Sequence, residues 1–458
     1  GFLNAAMASA TQRFMSYAEG EGDTEKKNVI FNVSIVLHFF LSIVVCILLV
    51  VCGFFFFDGL LSIPSNRIFA AEVVYVSLIL STMLTVMSVP YDAVINSHED
   101  MRYYAFVGVL ESSLRLIAAY LCIYIYHDKL IAYGVLIASV PIISLTLMRI
   151  YCHRKYVECK FSISRNWDFQ IVKDLSKFAG WNFFGTSSTL IGNYGLRIIM
   201  NHFYGVLLNA AQGVAAQICS VVMIFSSNMV KALNPVIAKT EGARNRDKVV
   251  EMTMTGNKMG FYMLAFIGIP LFLECDYIMA LWLKTVPEWS VIFVKLQIIR
   301  LLLEQITKVS ETTIYAQGNI SLYNIIIGIV NVLPMLLTYV IFSMGAGPYA
   351  MFFITITIFG IVICLVRVYF MRRNCNIPYS VFVSKCLSPI MASFFVVFLI
   401  SMLPVLFMGD GIIRFFIVLL ISSISGCITY YYIGLDSSEK QIVNALVEPV
   451  ISRYKRKK

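Results

Sequence analysis

The sequence predicts an all-α, polytopic membrane protein, and three observations predict it. Of 458 residues 59% are hydrophobic and only 14% charged, with a mean hydropathy of +0.80, too few charges to cover the surface of a water-soluble domain. Apolar blocks of about 20 residues, enough to cross a hydrocarbon layer of roughly 30 Å, recur from end to end. Lysine and arginine concentrate in every second loop between those blocks. The alternating segments of about 10 residues that mark a β-barrel are absent.

The blocks set the elements in order. "GFLNAAMASATQRFMSYAEG" opens the chain as a partial helix at about 1–17, reading as the second half of a membrane helix that runs into a loop. Full helices follow near 29–57, 68–95, 104–126 and 130–151. A polar linker at 152–177 is the longest and most charged loop of its set. Beyond it lie helices near 178–204, 207–233, 256–273, 290–316, 321–343, 347–370, 384–408 and 411–434, then a basic tail at 435–458.

One alternating set of loops holds Lys26, Lys27, Arg102, Arg154, Lys155, Lys160, Arg165, Lys173, Lys239, Arg244, Arg246, Lys248, Arg372, Arg373 and the tail "SRYKRKK". The other offers Arg67, Lys129, Lys284 and Arg414. The positive-inside bias places the first set, and the C-terminus, in the cytoplasm. It also accounts for the net charge of +10 without nucleic acid as a partner. The eleven cysteines are scattered and mostly inside apolar blocks. They read as small buried hydrophobes rather than zinc ligands or a disulfide framework. Cys275, beside an outer loop, is the one expected to meet an oxidising compartment.

Two halves echo each other. "EGEGDTEK" at 19–26 and "EGARNRDK" at 241–248 lie 222 positions apart, and "NSHEDMRY" at 96–103 and "AQGNISLY" at 316–323 lie 220 apart. Nearly equal offsets between turns of the same loop set point to a duplicated bundle. The expected units are therefore an N-terminal bundle at 1–151, the linker 152–177, a second bundle at 178–370, an extra helix pair at 371–434 and the tail 435–458. If the second bundle starts near Phe178, the first starts about 40 residues before Gly1. One helix and half of another would then precede this sequence, giving two six-helix bundles and a final pair, fourteen helices in all.

Charges inside the apolar blocks are the functional signal. In "KLQIIRLLLEQITKVSETT", at 295–313, Arg300, Glu304, Lys308 and Glu311 fall within an arc of about 80° on one helix, with Lys295 pointing elsewhere. A lipid-facing Arg or Lys at the helix centre costs roughly 2.5–3.5 kcal/mol on insertion scales, so this stripe must face protein or water. The plain reading is a self-paired seam, Arg300–Glu304 and Glu304–Lys308 at i,i+4. Other helices add Glu111 with Arg115, Arg13 in the opening helix, Lys231 near a helix end, and Arg197, which has no acid nearby in sequence. With the local acid–base pairs removed, the leftover charge is cationic and suits phosphate, because guanidinium forms bidentate pairs with it. The candidate binding residues are Arg13, Arg115, Arg197, Arg300 and Lys308, with Glu111, Glu304 and Glu311 as charge partners. His38, in "SIVLHFFLS", reads as a core histidine more readily than as a proton relay. Prolines such as Pro90, Pro141, Pro235, Pro270 and Pro334 lie in or at the ends of the blocks, where kinks are tolerated. No nucleotide-binding loop, metalloprotease motif or catalytic constellation is present, so neither an enzyme nor a cofactor is expected.

The stretches "SATQRFMSYAEGEGD", "SVPYDAVINSHEDM", "KFAGWNFFGTSS", "LNAAQGVAAQI", "NPVIAKTEG" and "LWLKTVPEWSVIF" resemble bacterial polysaccharide flippases of the O-antigen (Wzx-like) type. These belong to the multidrug/oligosaccharidyl-lipid/polysaccharide (MOP) exporter superfamily with the MATE-type fold. The resemblance runs from residue 1 to about 435 and is least distinctive over the last two helices. It implies a bacterial inner-membrane transporter that moves undecaprenyl-diphosphate-linked oligosaccharide to the periplasmic leaflet, for lipopolysaccharide or other surface polysaccharide. It further implies coupling to a proton or sodium gradient or to product removal, with a polysaccharide polymerase and glycosyltransferases as functional partners. The alternatives are a MATE-type drug/cation antiporter, which needs an acidic cavity, and a non-transporting membrane scaffold, which leaves the buried charges unexplained. The sign of the potential in the cavity separates them.

Overall fold

The computed structural model describes residues 2–60, 64–125, 128–160, 168–441 and 444, and within these every regular element is helical. The helices are α1 (Phe2–Glu21), α2 (Thr24–Phe55), α3 (Ile68–Ser97), α4 (Met101–Tyr124), α5 (Lys129–Lys155) and α6 (Phe169–Gly242). They continue with α7 (Arg246–Leu273), α8 (Cys275–Trp282), α9 (Ser290–Gln305), α10 (Lys308–Gln317) and α11 (Ser321–Ser343). The last three are α12 (Ala350–Cys375), α13 (Tyr379–Phe407) and α14 (Ile412–Gly434). Ten of the described helices are long and apolar enough to cross a membrane, and their outer faces expose Phe40, Leu48, Phe54, Leu116 and Phe407. Such surfaces suit lipid, where a helix satisfies its own backbone. The protein is a multi-pass membrane protein.

Several starts follow directly from sequence. Asp23, Asp128 and Asp168 precede α2, α5 and α6, and each carboxylate accepts a backbone N–H one or two residues into its helix, at 2.9, 2.9 and 2.7 Å. Those acceptors satisfy donors that a helix leaves without partners in its first turn.

Within α6, Gly205 adopts φ 76° and ψ −174°, a region essentially reserved for glycine. The chain turns there: Arg197 and Asn193 before it line the same cavity as Gln212 and Ala216 after it. α6 is therefore two antiparallel membrane helices, 169–204 and 206–242, as the separate apolar blocks 178–204 and 207–233 predict.

The chain divides into two compact units. One runs to Phe183 and takes in Ala238–Asn245; the other holds Phe184–Ile237 and continues from Arg246. The first unit has a core around Met15, Phe31, Val94, Ile95 and Cys152. Its loop end is polar: Asn28 donates to the carbonyls of Glu158 (2.6 Å) and Lys160 (2.9 Å). Beside it the Asp100 carboxylate accepts from Lys155 at 2.5 Å, from Tyr156 at 3.0 Å and from Tyr151. The second unit packs Phe261, Phe293, Tyr323, Phe352 and Phe370 into a larger core, with Phe293 and Phe352 stacked at 4.5 Å. Gly192 is required there, since a Cβ would lie 2.2 Å from the Asn331 carbonyl oxygen of α11.

One pair of the repeated turns also matches in conformation: Gly22 and Arg244, 222 positions apart, both have positive φ (73° and 56°).

The structure differs from the sequence expectation in three places. The single helix expected at 290–316 is broken at Ile306–Thr307 into α9 and α10. A short helix, α8, fills what read as an outer loop. Cys275, expected to meet an oxidising compartment, is fully buried at the start of α8, its thiol 3.9 Å from the Val291 carbonyl oxygen; burial, not loop position, decides its exposure. Part of the 152–177 linker, including Arg165, and most of the basic tail lie outside the described residues.

Candidate functional site

The cavity of greatest chemical interest is in the second unit. It has a volume of about 320 Å³ and is lined by Leu190, Asn193, Tyr194, Leu196 and Arg197 of the first half of α6, Gln212 and Ala216 of the second half, and Gln297 of α9. The Gly205 turn is what brings 193–197 against 212–216. Arg197 lies two turns before it and is exposed into this space, its guanidinium 5.9 Å from the centre of the Tyr194 ring. Among the described residues Arg197 is the one charged residue of the lining, and the other polar side chains are three amides and the Tyr194 phenol. The Gln212 Oε1 is buried without a hydrogen-bond partner among the described residues, while its Nε2 approaches the Met351 sulfur at 3.9 Å. A guanidinium beside amides, one of them with an unpartnered oxygen, can take an anion and hydrogen-bonding groups attached to it.

The charged stripe of 295–313 behaves differently. Arg300, one turn beyond Gln297, pairs with Glu304 at 3.2 Å and lies 5.5 Å from the centre of the Phe359 ring. The expectation that Lys308 shares Glu304 is overturned. The helix break takes Lys308 out of register with α9, and it pairs instead with Glu311 at 2.9 Å. Asn257 of α7 caps the restart, its Oδ1 accepting from Val309 N–H (2.8 Å) and Ser310 N–H (3.3 Å). Arg367 of α12, which sequence reasoning missed, completes the ladder. It donates to Glu311 at 2.7 Å, to the Glu304 carbonyl at 3.4 Å and to the Tyr323 hydroxyl at 3.5 Å. Arg300, Lys308 and Arg367 thus all have carboxylate or carbonyl partners within the unit.

The remaining candidates belong to the first unit. Arg13 sits against the rings of Phe14 (4.7 Å) and Tyr17 (4.8 Å). Arg115 has a side chain 62% exposed, 4.0 Å from Glu111, on a helix whose outer face is largely apolar. His38 is buried; its Nδ1 lies 2.7 Å from the Ser34 carbonyl oxygen.

One group of side chains has metal-ligating composition: Glu19, His98 and Glu158 place one ligand atom each within 4.8 Å of one another. The Lys27 ammonium lies 2.7 Å from Glu19 and 3.7 Å from Glu158, in the place a cation would take. Burial works to raise the Glu158 pKa, but His98 and Lys27 outweigh it and hold the carboxyl below its usual range.

Two missed elements had a sequence signal. Arg367, in "CLVRVYF", is a lone cation in an apolar block, as Arg197 is. Gln212 falls within "LNAAQGVAAQI", one of the stretches that carry the resemblance.

No protein-family model matches the chain, and no curated protein matches it. Among solved structures, a MATE protein in a bent conformation matches with a TM-score of 0.73, covering 84% of this chain and 85% of that one at 14% identity. An outward-facing multidrug resistance MATE family transporter of the MOP superfamily matches with a TM-score of 0.70, 82% and 85% coverage and 14% identity. A MOP superfamily transporter from Pyrococcus furiosus, described as having a binding pocket of reverse polarity that suggests a different function, matches with a TM-score of 0.69, 82% and 86% coverage and 13% identity. At this level of identity the likeness is one of fold: the chain is an all-helical membrane protein with the MATE-type fold of MOP superfamily transporters.

Proposed function

We propose that this protein is a transporter of the bacterial inner membrane that moves an anionic lipid-linked oligosaccharide, undecaprenyl-diphosphate-linked glycan, from the cytoplasmic to the periplasmic leaflet. The observation that carries the reading is the Arg197 cavity, whose lining among the described residues holds one guanidinium, three amides, one phenol and no carboxylate. Arg197 meets the diphosphate and Gln212, Gln297 and Asn193 meet polar groups beside it. A volume of about 320 Å³ is at the small end for ligand sites and suits the charged junction of such a molecule rather than its whole glycan. An antiporter of cationic drugs on the same fold would need an acid where Arg197 stands. The P. furiosus neighbour, described as having a binding pocket of reverse polarity, supports the view that pockets on this fold differ in polarity. Membrane lipids surround the protein, a proton or sodium ion is the candidate coupling ion, and a polysaccharide polymerase and glycosyltransferases act on the same substrate.

The test is surface polysaccharide in cells that depend on this protein. Arg197→Ala abolishes it while the protein remains folded and inserted. Arg197→Lys restores it only in part, because an ammonium keeps the charge and loses the bidentate fork. Glu304→Gln is milder, since it frees Arg300 rather than removing a cation. Normal export in Arg197→Ala together with loss in Glu304→Gln would make an acid the essential group and refute the reading in favour of a cation antiporter.

A further inference from the structure

The end of α14 does not simply run out into solvent. After Gly434 the chain folds back over α7. Leu435 is buried, and "DSSE" at 436–439 forms a capping box: the Asp436 carboxylate accepts from Glu439 N–H at 3.0 Å, and Glu439 Oε2 accepts from Asp436 N–H at 2.9 Å. In an isolated capping box that glutamate lies at the surface of its own helix start. Here it is 1% exposed, and the same carboxylate accepts from the Lys258 ammonium of α7 at 2.5 Å and from the Thr255 hydroxyl at 2.6 Å. Lys258 is itself 2% exposed. Thr255, Lys258 and Tyr262 lie on one stripe of α7, and Tyr262 stacks on Tyr430 at 4.2 Å. Gly434 passes so close that a Cβ would lie 2.5 Å from the Tyr262 hydroxyl.

We propose that residues 434–441 are a strap, docked in this structure, that fastens the last helix to α7 by supplying the counter-ion of a buried lysine. The other end of α14 is fastened to the same helix run: Arg414 forms a two-point pair with Glu274, which follows α7, at 2.8 and 3.0 Å. The strap also makes one wall of a cavity of about 680 Å³, where Asp436, Ser438 and Glu439 face Arg246, Glu251 and Cys375. Docked or released are the two states open to it, because a halfway position leaves an ammonium and a carboxylate buried apart. Release opens that wall of the cavity, which Cys375 also lines.

The experiment is amide hydrogen exchange, thermal melting and maleimide labelling of Cys375, read by mass spectrometry, on the purified protein in lipid nanodiscs. In the wild type, 434–441 exchanges slowly and Cys375 labels slowly. Glu439→Gln and Lys258→Met each speed exchange over 434–441 by about tenfold or more, speed labelling of Cys375 and lower the melting temperature. The charge-free pair Lys258→Met/Glu439→Leu melts above either single variant, which keeps the test readable if a single variant folds poorly. Exchange over 434–441 at the free-peptide rate in the wild type, or a charge-free pair no more stable than the singles, would overturn the proposal.

Discussion

Asp100 shows how far one side chain's role depends on neighbours remote in sequence. The Lys155 ammonium, then the Tyr151 hydroxyl, outweigh its burial and lower its pKa to about 2; Lys155 is raised in turn, first by Asp100. A carboxyl depressed in the folded state stabilises it above the ordinary carboxyl range, and that contribution is lost as pH falls toward 2. The lysine's contribution is present below the ordinary lysine value and is lost only in strong base. Asp100→Asn is therefore expected to lower the melting temperature at neutral pH, with the difference closing as pH drops from ~4 to ~2; an unchanged difference at pH ~2 would contradict the pairing. Arg197 stood out at this scale because a lone cation in an apolar block is costly unless it meets protein or water, and it lines a cavity. Arg367 carries the same signal, but its partners lie on α9, α10 and α11, so only the folded unit reveals its role.

Local conformation decides the elements. The turn at Gly205 separates two membrane helices in which hydropathy alone shows a short dip, and its backbone region costs a residue with a side chain about 1–3 kcal/mol. Gly205→Ala is expected to destabilise by that amount in thermal or denaturant melting. It should also weaken function with Arg197 intact, because the turn positions Gln212 opposite Asn193 and Arg197. A variant as stable and active as wild type would show that the turn tolerates another conformation. The break between α9 and α10 was not legible. Apolar and charged residues run through 290–316 without glycine or proline, and the acceptor that caps the restart, Asn257, comes from another helix.

At the scale of the molecule, the alternation of basic loops predicts that the segments 152–177, 236–255 and 435–458 all face the cytoplasm. Cysteine accessibility in intact cells checks this: all three should label only after the membrane is permeabilised, and labelling of any two from outside would refute the orientation. Of the two loop pairs that suggest a repeat, one shares a backbone conformation, the positive φ of Gly22 and Arg244. By itself, the sequence determined the class of protein and the apolar spans, because these follow from hydropathy along one chain. The tertiary structure alone decided which embedded charges are neutralised. Lys308 turned from Glu304 to Glu311, Arg367 joined the ladder, Lys258 found Glu439 181 residues away, and Arg197 was left beside amides. Charge pairing is a short-range interaction in space, and sequence spacing governs it only within one unbroken helix.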